Sequence, residues 1–268
     1  MSAASEQDVE VERLKHELAQ LRTEFQDFTY SVSHDLRAPL RHIRAFAQVI
    51  EEDLPDAPPD IRGHLATIQQ SAQLLTQQLD GLLMLSRLGQ QEVKLQAVPV
   101  LPLLQSVLDE LQQQQPQRQV QWHLAQDFPE LWADAELLRQ VFSHVLDNAM
   151  KFTRKRELAQ IDITWQWAVP VDTETAAEPH ATAFAPTLAQ GQKLCQISIS
   201  DNGIGFVPEQ ASKLFKVFAK LHSLRDFEGL GLGLVASRKL LSRMGGSMGI
   251  SAQVDGGCQV QISLPSRQ

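Results

Sequence analysis

Along the first part of the chain the apolar positions fall at Val11, Leu14, Leu18, Leu21, Phe25, Phe28 and Val32, in alternating steps of three and four. That rhythm predicts one long helix carrying a heptad seam. After Val32 the next apolar positions are Leu36, Leu40, Ile43 and Ala47, and two successive steps of four make a stutter that locally unwinds a coiled coil. The helix is expected to end near DLPDAPPD at 53–60, whose prolines make a loop. A second helix repeats the pattern at Ile61, Leu65, Ile68, Ala72, Leu75, Leu79 and Leu82. A hairpin of two such helices leaves a long apolar stripe uncovered. Pairing two copies into a four-helix bundle would bury it, so a homodimer is expected.

Beyond Gln91 the pattern changes to mixed helix and strand. Helices are predicted over 101–111, 135–155 and 234–244, with strands over 120–124, 161–167, 194–200, 248–254 and 259–264. Helices on one face of a mainly antiparallel sheet make an α+β sandwich. The expected organisation is a coiled-coil and dimerisation domain over 1–92 and an α/β-sandwich domain over 93–268. Between two of the strands lies a stretch at about 169–192 rich in Ala, Thr and Pro, which reads as a long mobile insertion on a hairpin and suggests no function.

Composition narrows the classes. A chain of 268 residues, 43% of them hydrophobic, is long enough for two modest cores. A net charge of -8 argues against nucleic acid as a partner, because phosphate-tracking surfaces carry a basic excess. Cys195 and Cys258 have neither metal-ligand spacing nor a disulfide framework, so a cytoplasmic setting is expected. No apolar run is long enough to span a bilayer and the N-terminus is acidic, so no membrane insertion is expected.

Three clusters carry candidate chemistry. DNGIGF at 201–206 would, alone, mark only a turn. GLGLGL at 229–234 places Gly229, Gly231 and Gly233 immediately before a helix, where backbone N–H groups can approach phosphate oxygens. HVLDNAMKFT at 144–153 puts Asn148 and Lys151 three residues apart on one helix face, an amide oxygen able to ligate Mg²⁺ beside an ammonium able to neutralise phosphate. Together, and in this order, they resemble the N box and two glycine boxes of the histidine-kinase and gyrase-type ATP-binding fold.

That resemblance covers about Val98 to Pro265. It implies that Asn148 holds Mg²⁺, Lys151 contacts phosphate and Asp201 accepts from the adenine amino group. It also implies that Gly203 and Gly205 let the backbone pass close to the base, and that Gly229, Gly231 and Gly233 hinge a lid over the triphosphate of ATP. Between the glycine boxes, KLFKVFAKLHS at 213–223 resembles the lid segment, and its AKLHS portion is most similar to the phytochrome-like branch of these kinases.

HDLRAP at 34–39 resembles the phosphoacceptor box of sensor histidine kinases. A lone helical histidine is usually a surface residue. His34, however, lies two positions after Val32, about 200° round the helix at ~100° per residue, facing outward where a nucleotide could reach it. Pro39 follows and can kink the helix. Asp35 is the candidate to fix the imidazole tautomer. The resemblance implies autophosphorylation of His34 from ATP with Mg²⁺, then transfer to an aspartate of a response-regulator receiver domain. It also leaves the N-terminal coiled coil as the route from an upstream sensor domain or sensor protein.

Two positions depart from the family pattern. Ala38 stands where kinases that dephosphorylate their partner carry a Thr or Asn able to orient water, so weak phosphatase activity is expected. His144 stands at the first N-box position, where gyrase-type ATPases carry a water-activating Glu; it reads as a hydrogen-bonding residue beside the metal site, with a base role as the alternative. The basic run Arg154–Arg156 reads as a helix cap, with a lining of the nucleotide entrance as the alternative. Rival readings of the whole are a gyrase-like ATPase and a non-catalytic pseudokinase scaffold; HDLRAP and the absence of Glu at 144 favour the kinase.

Overall fold

The computed structural model describes residues 3–168, 193–222 and 226–266. It falls into two compact units, Met1–Gln91 and Glu92–Gln268. The expected insertion at 169–192 lies outside the described residues.

The first unit is an antiparallel hairpin of α1 (Ala3–Asp53) and α2 (Pro59–Arg87). Pro59 sits at the helix start, where its missing N–H costs nothing. Pro39 lies inside α1, yet the helix runs on through it. The face of α1 turned to α2 is not the heptad seam. Before the stutter it is the row one residue further on, Gln26, Thr29, Ser33 and Arg37, and after it the expected apolar positions Leu40 and Ala47, all buried or half-buried. Small residues there, Ser33 and Ala47 with Ala72 and Gly81 of α2, let the axes approach. Cross-helix polar contacts fix the register: Arg37 pairs with Asp80 at 2.8 Å, and Arg44 donates to Gln73 at 2.8 Å. The seam residues Leu14, Leu18, Leu21, Phe25, Phe28 and Val32 remain exposed in the single chain, as do Ile43, Phe46 and Ile50.

The second unit is α+β. Its main sheet has the order β2-β4-β5-β7-β6, from β2 (Val120–Leu124), β4 (Ala159–Trp167), β5 (Leu194–Asp201), β6 (Ser247–Gln253) and β7 (Gly257–Pro265). All pairings in it are antiparallel except β2 with β4. Period-two alternation sends Ile161, Ile163, Ile197, Ile199, Ile262 and Leu264 to a face covered by helices α3 (Val100–Gln114), α4 (Ala135–Phe152) and α5 (Gly233–Arg243). Leu104, Phe142, Leu146 and Leu240 meet them there, fully buried. The opposite face carries Gln and Ser at the paired positions Gln196–Ser263, Ser198–Gln261 and Ser200–Gln259.

Differences from the sequence expectations are local. A two-stranded antiparallel pair, β1 (Gln96–Pro99) with β3 (Glu130–Ala133), was not expected. A 3-10 helix spans Pro208–Phe215. α4 stops at Phe152, three residues short of the expected end, where Thr153 caps it with its hydroxyl on the Ala149 carbonyl at 2.7 Å. Among the described residues, no helix is long and apolar enough to cross a membrane.

Candidate functional site

In the first unit, His34 projects from α1 with its side chain 70% exposed. Its Nδ1 lies 3.1 Å from Asp35 Oδ1. A carboxylate only accepts, so Nδ1 carries the hydrogen and the lone pair of Nε2 faces solvent. One turn earlier, Tyr30 stacks on the imidazole with ring centroids 6.4 Å apart and planes at 25°. Ala38 is exposed and presents no polar atom.

In the second unit, α4 begins at an Asp134 N-cap, whose Oδ1 accepts from the N–H groups of Glu136 and Leu137 while Oδ2 accepts from Lys94 N. The last turns of that helix place Lys151 Nζ 3.3 Å from Asn148 Oδ1 and 4.5 Å above the Phe152 ring. Burial pushes the Lys151 pKa down; Asp147 opposes the shift, and the like charges of Lys220 and Arg154 add to it. Glu228 also opposes the shift, and an ammonium buried this far gains from an incoming phosphate charge. Asn148, half-buried, offers one amide oxygen. Among the described residues, no three acidic, His or Cys side chains gather into a metal site. One protein oxygen suits Mg²⁺, which takes most of its shell from water and phosphates.

Asp201 ends β5 and turns into the DNGIG loop. Burial raises its carboxyl to about 6, although N–H groups of Gly203 and Cys258 donate to it and pull the other way. A Cβ on Gly203 would lie 2.8 Å from the Phe152 carbonyl, and one on Gly205, at φ 56°, would lie 1.9 Å from the Gln253 carbonyl. Within the chain itself, both glycines let backbone segments pack closer than a side chain would permit. In the second glycine box, Gly231 at φ 73° brings its α-carbon against the Ala219 carbonyl, and Gly229 has φ 119°. Gly233 begins α5, and a side chain there would meet only the His144 ring at ordinary contact distance.

His144 Nδ1 lies 3.3 Å from Ser237 Oγ, tying α4 to α5. Burial lowers its pKa, against the pull of Asp147, and so favours the neutral ring. The helix-cap expectation for Arg154–Arg156 does not hold. Arg154 reaches Glu228 and Lys155 reaches Asp226, while Arg156 donates to three carbonyls beyond the helix. Two contributors went unrecognised in the sequence. One is Arg156, whose only signal was the basic run. The other is His222, whose Nε2 donates to the Gly205 carbonyl at 3.0 Å and whose ring meets Phe152 and Phe227.

The fold, a helical hairpin followed by this α/β unit, matches known proteins at both units. Residues 26–91 match the His Kinase A (phospho-acceptor) domain. Residues 133–268 match the histidine kinase-, DNA gyrase B- and HSP90-like ATPase family. The chain therefore belongs to the sensor histidine kinases, with phosphoacceptor and ATPase-type domains in series. It is 28% identical over 244 residues, 91% of its length, to the methanogenesis regulatory histidine kinase FilI of Methanothrix harundinacea. It is 26% identical over 260 residues, 96% of its length, to cyanobacterial phytochrome A of Nostoc sp.. It spans only 25% and 30% of those two proteins. Among solved structures, full-length ShkA in complex with AMPPNP has a similar fold, with a TM-score of 0.55 at 22% identity over 90% of this chain and 46% of that one.

Proposed function

We propose that the chain catalyses ATP-dependent phosphorylation of His34 and passes the phosphoryl group to an aspartate of a response-regulator receiver domain. The observation that carries the reading is the His34–Asp35 contact, which engages Nδ1 and leaves Nε2 as the nitrogen available to phosphate on an exposed helix face. The Nε2 lone pair attacks the γ-phosphorus, the bond to the β,γ-bridging oxygen breaks and ADP departs. The hydrogen on Nδ1 stays shared with Asp35, which offsets the charge gained by the ring. Phosphoryl transfer depends mainly on positioning and charge neutralisation. Lys151 would neutralise phosphate, and Asp201 would fix the adenine amino group. Asn148 would contribute the oxygen for Mg²⁺, whose chemistry when bound is further neutralisation of the triphosphate. Gly203 and Gly205 would shape the base end, and Gly229, Gly231 and Gly233 the segment over the phosphates.

The uncovered seam of α1 supports a homodimer, and its continuation towards the N-terminus suits input from an upstream sensor domain or sensor protein. Both cysteines are free, which fits a reducing compartment such as the cytoplasm. Incubation with γ-labelled ATP and Mg²⁺ tests the reaction class. A phosphohistidine gives protein-bound label that is stable to alkali and lost in acid; release of labelled phosphate with no protein-bound label would instead mark a simple ATPase. The methyl of Ala38 holds no water, so phosphatase activity towards a phosphorylated receiver is weak on this reading. Ala38→Thr raises receiver dephosphorylation several-fold while leaving His34 labelling in place, as followed by loss of acyl-phosphate from the receiver.

A further inference from the structure

Arg156 follows α4, 35% exposed, and its guanidinium gathers three backbone carbonyls from two other segments. Nε donates to Asn202 O at 2.8 Å, and one terminal nitrogen donates to Gly203 O at 3.0 Å and to Asp255 O at 2.8 Å. Two of those oxygens belong to the loop after Asp201. The third belongs to the β6–β7 turn, where Asp255 is held at φ 57° and donates its own N–H to Ile204 O. The turn and the loop are in backbone contact, since a Cβ on Gly257 would lie 1.8 Å from Asp201 O. Asn202 strengthens the joint, its Oδ1 accepting from Gln160 N and its Nδ2 donating to Leu158 O.

A peptide unit is planar, so fixing its carbonyl fixes its N–H. The carbonyl that Arg156 Nε holds and the Gly203 N–H are the two ends of one peptide. That N–H points at Asp201 Oδ1, 2.8 Å away. We infer that Arg156 is a positioning residue for the adenine end of the site: through the Asn202–Gly203 peptide it orients the Asp201 carboxylate, and so sets nucleotide affinity without touching nucleotide. The inference rests on the proposal that Asp201 accepts from adenine.

Releasing the peptide weakens one of the two hydrogen bonds that oppose the burial of the Asp201 charge. The other charged and titratable groups around the loop are Cys258 of β7, Asp255 of the turn, and His222, which donates to Gly205 O. Among them Asp255 loses its 3.9 Å ion pair with Arg156 on substitution, but its side chain is 79% exposed and the pair is worth little, so a displaced acid limb near the Asp201 value still reports on Asp201.

The test uses the full chain and measures ADP and ATP affinity by calorimetry from pH 5 to 8, for wild type, Arg156→Met and Arg156→Lys, with steady-state labelling alongside. Arg156→Met is expected to weaken ADP and ATP alike by about tenfold, the scale of one lost charged hydrogen bond. The rate at saturating ATP should hold while KM rises, and the acid limb of ADP binding should move up by roughly half a pH unit or more. Arg156→Lys, with the charge but no fork, should fall between. Unchanged affinity and limb in both variants overturn the inference, as does a loss of rate or of binding-competent protein with Kd unchanged, which marks a purely structural role. A wild type that binds no ADP overturns the adenine reading itself, and the inference with it.

Discussion

Asp201 is a carboxylate placed where a carboxylate is costly. Its pKa stands at about 6 in the folded chain against 3.8 for the free side chain, raised by burial. With the folded value above the unfolded one, the folded state holds the proton more tightly. The associated stability is complete below about pH 4 and lost as pH rises through 6. Above that, the unliganded domain carries a buried charge, a cost that the proposed contact with adenine would offset. Asp201→Asn should therefore raise the melting temperature of the nucleotide-free domain by about a few degrees at pH 7.5, with a gain that shrinks towards pH 4, while nucleotide affinity collapses. Differential scanning fluorimetry across pH, with and without ADP, checks both signs. A variant that melts lower at pH 7.5 would mean the carboxylate is stabilising, contrary to its burial.

At the scale of elements, the long periodic stretches were legible because each has an apolar face of one period. α4 shows it in Leu138, Phe142, Val145 and Ala149, and β5 in Cys195, Ile197 and Ile199. The β1–β3 pair was not legible. It has only four residues to a strand, one of them Pro99, too few for a period to show. The parallel pairing of β2 with β4 is a tertiary choice that no local pattern encodes. Before the stutter the hydrophobic pattern could not reveal which face of α1 meets α2, because the covered row there is Gln26, Thr29, Ser33 and Arg37 rather than the large apolar residues; after it, Leu40 and Ala47 were legible. In the candidate site, Asn148, Lys151, Asp201 and the glycines stood out through the resemblance of their three motifs, taken together, to the N box and glycine boxes of the ATP-binding fold. The Arg156 and His222 contacts depend on loop carbonyls that come together only in the fold. The start of α4 offers a direct check of how the element is anchored. Asp134→Ala frees three N–H groups and should destabilise the second unit by about 1–2 kcal/mol, read as a lower midpoint in urea; an unchanged midpoint would mean that water replaces the cap without cost.

For the whole molecule, the governing feature is a long apolar seam that one chain leaves in water. Leu14, Leu18, Leu21 and Phe25 are each about half exposed or more. A second copy covering this stripe, as proposed, would bury residues that the single hairpin leaves half exposed or more. Replacing Leu18 and Phe25 together by Glu should shift the chain towards monomer in sedimentation equilibrium, with the circular dichroism of the second unit unaffected. A wild type that sediments as a monomer at high concentration would refute the assignment of that face.

His34 as the acceptor of phosphate is decided by one comparison: protein-bound label from γ-labelled ATP in wild type and in His34→Ala, with ADP affinity measured on both. Wild type should acquire acid-labile label and His34→Ala none, while the two bind ADP equally. Label that persists in His34→Ala would contradict the account.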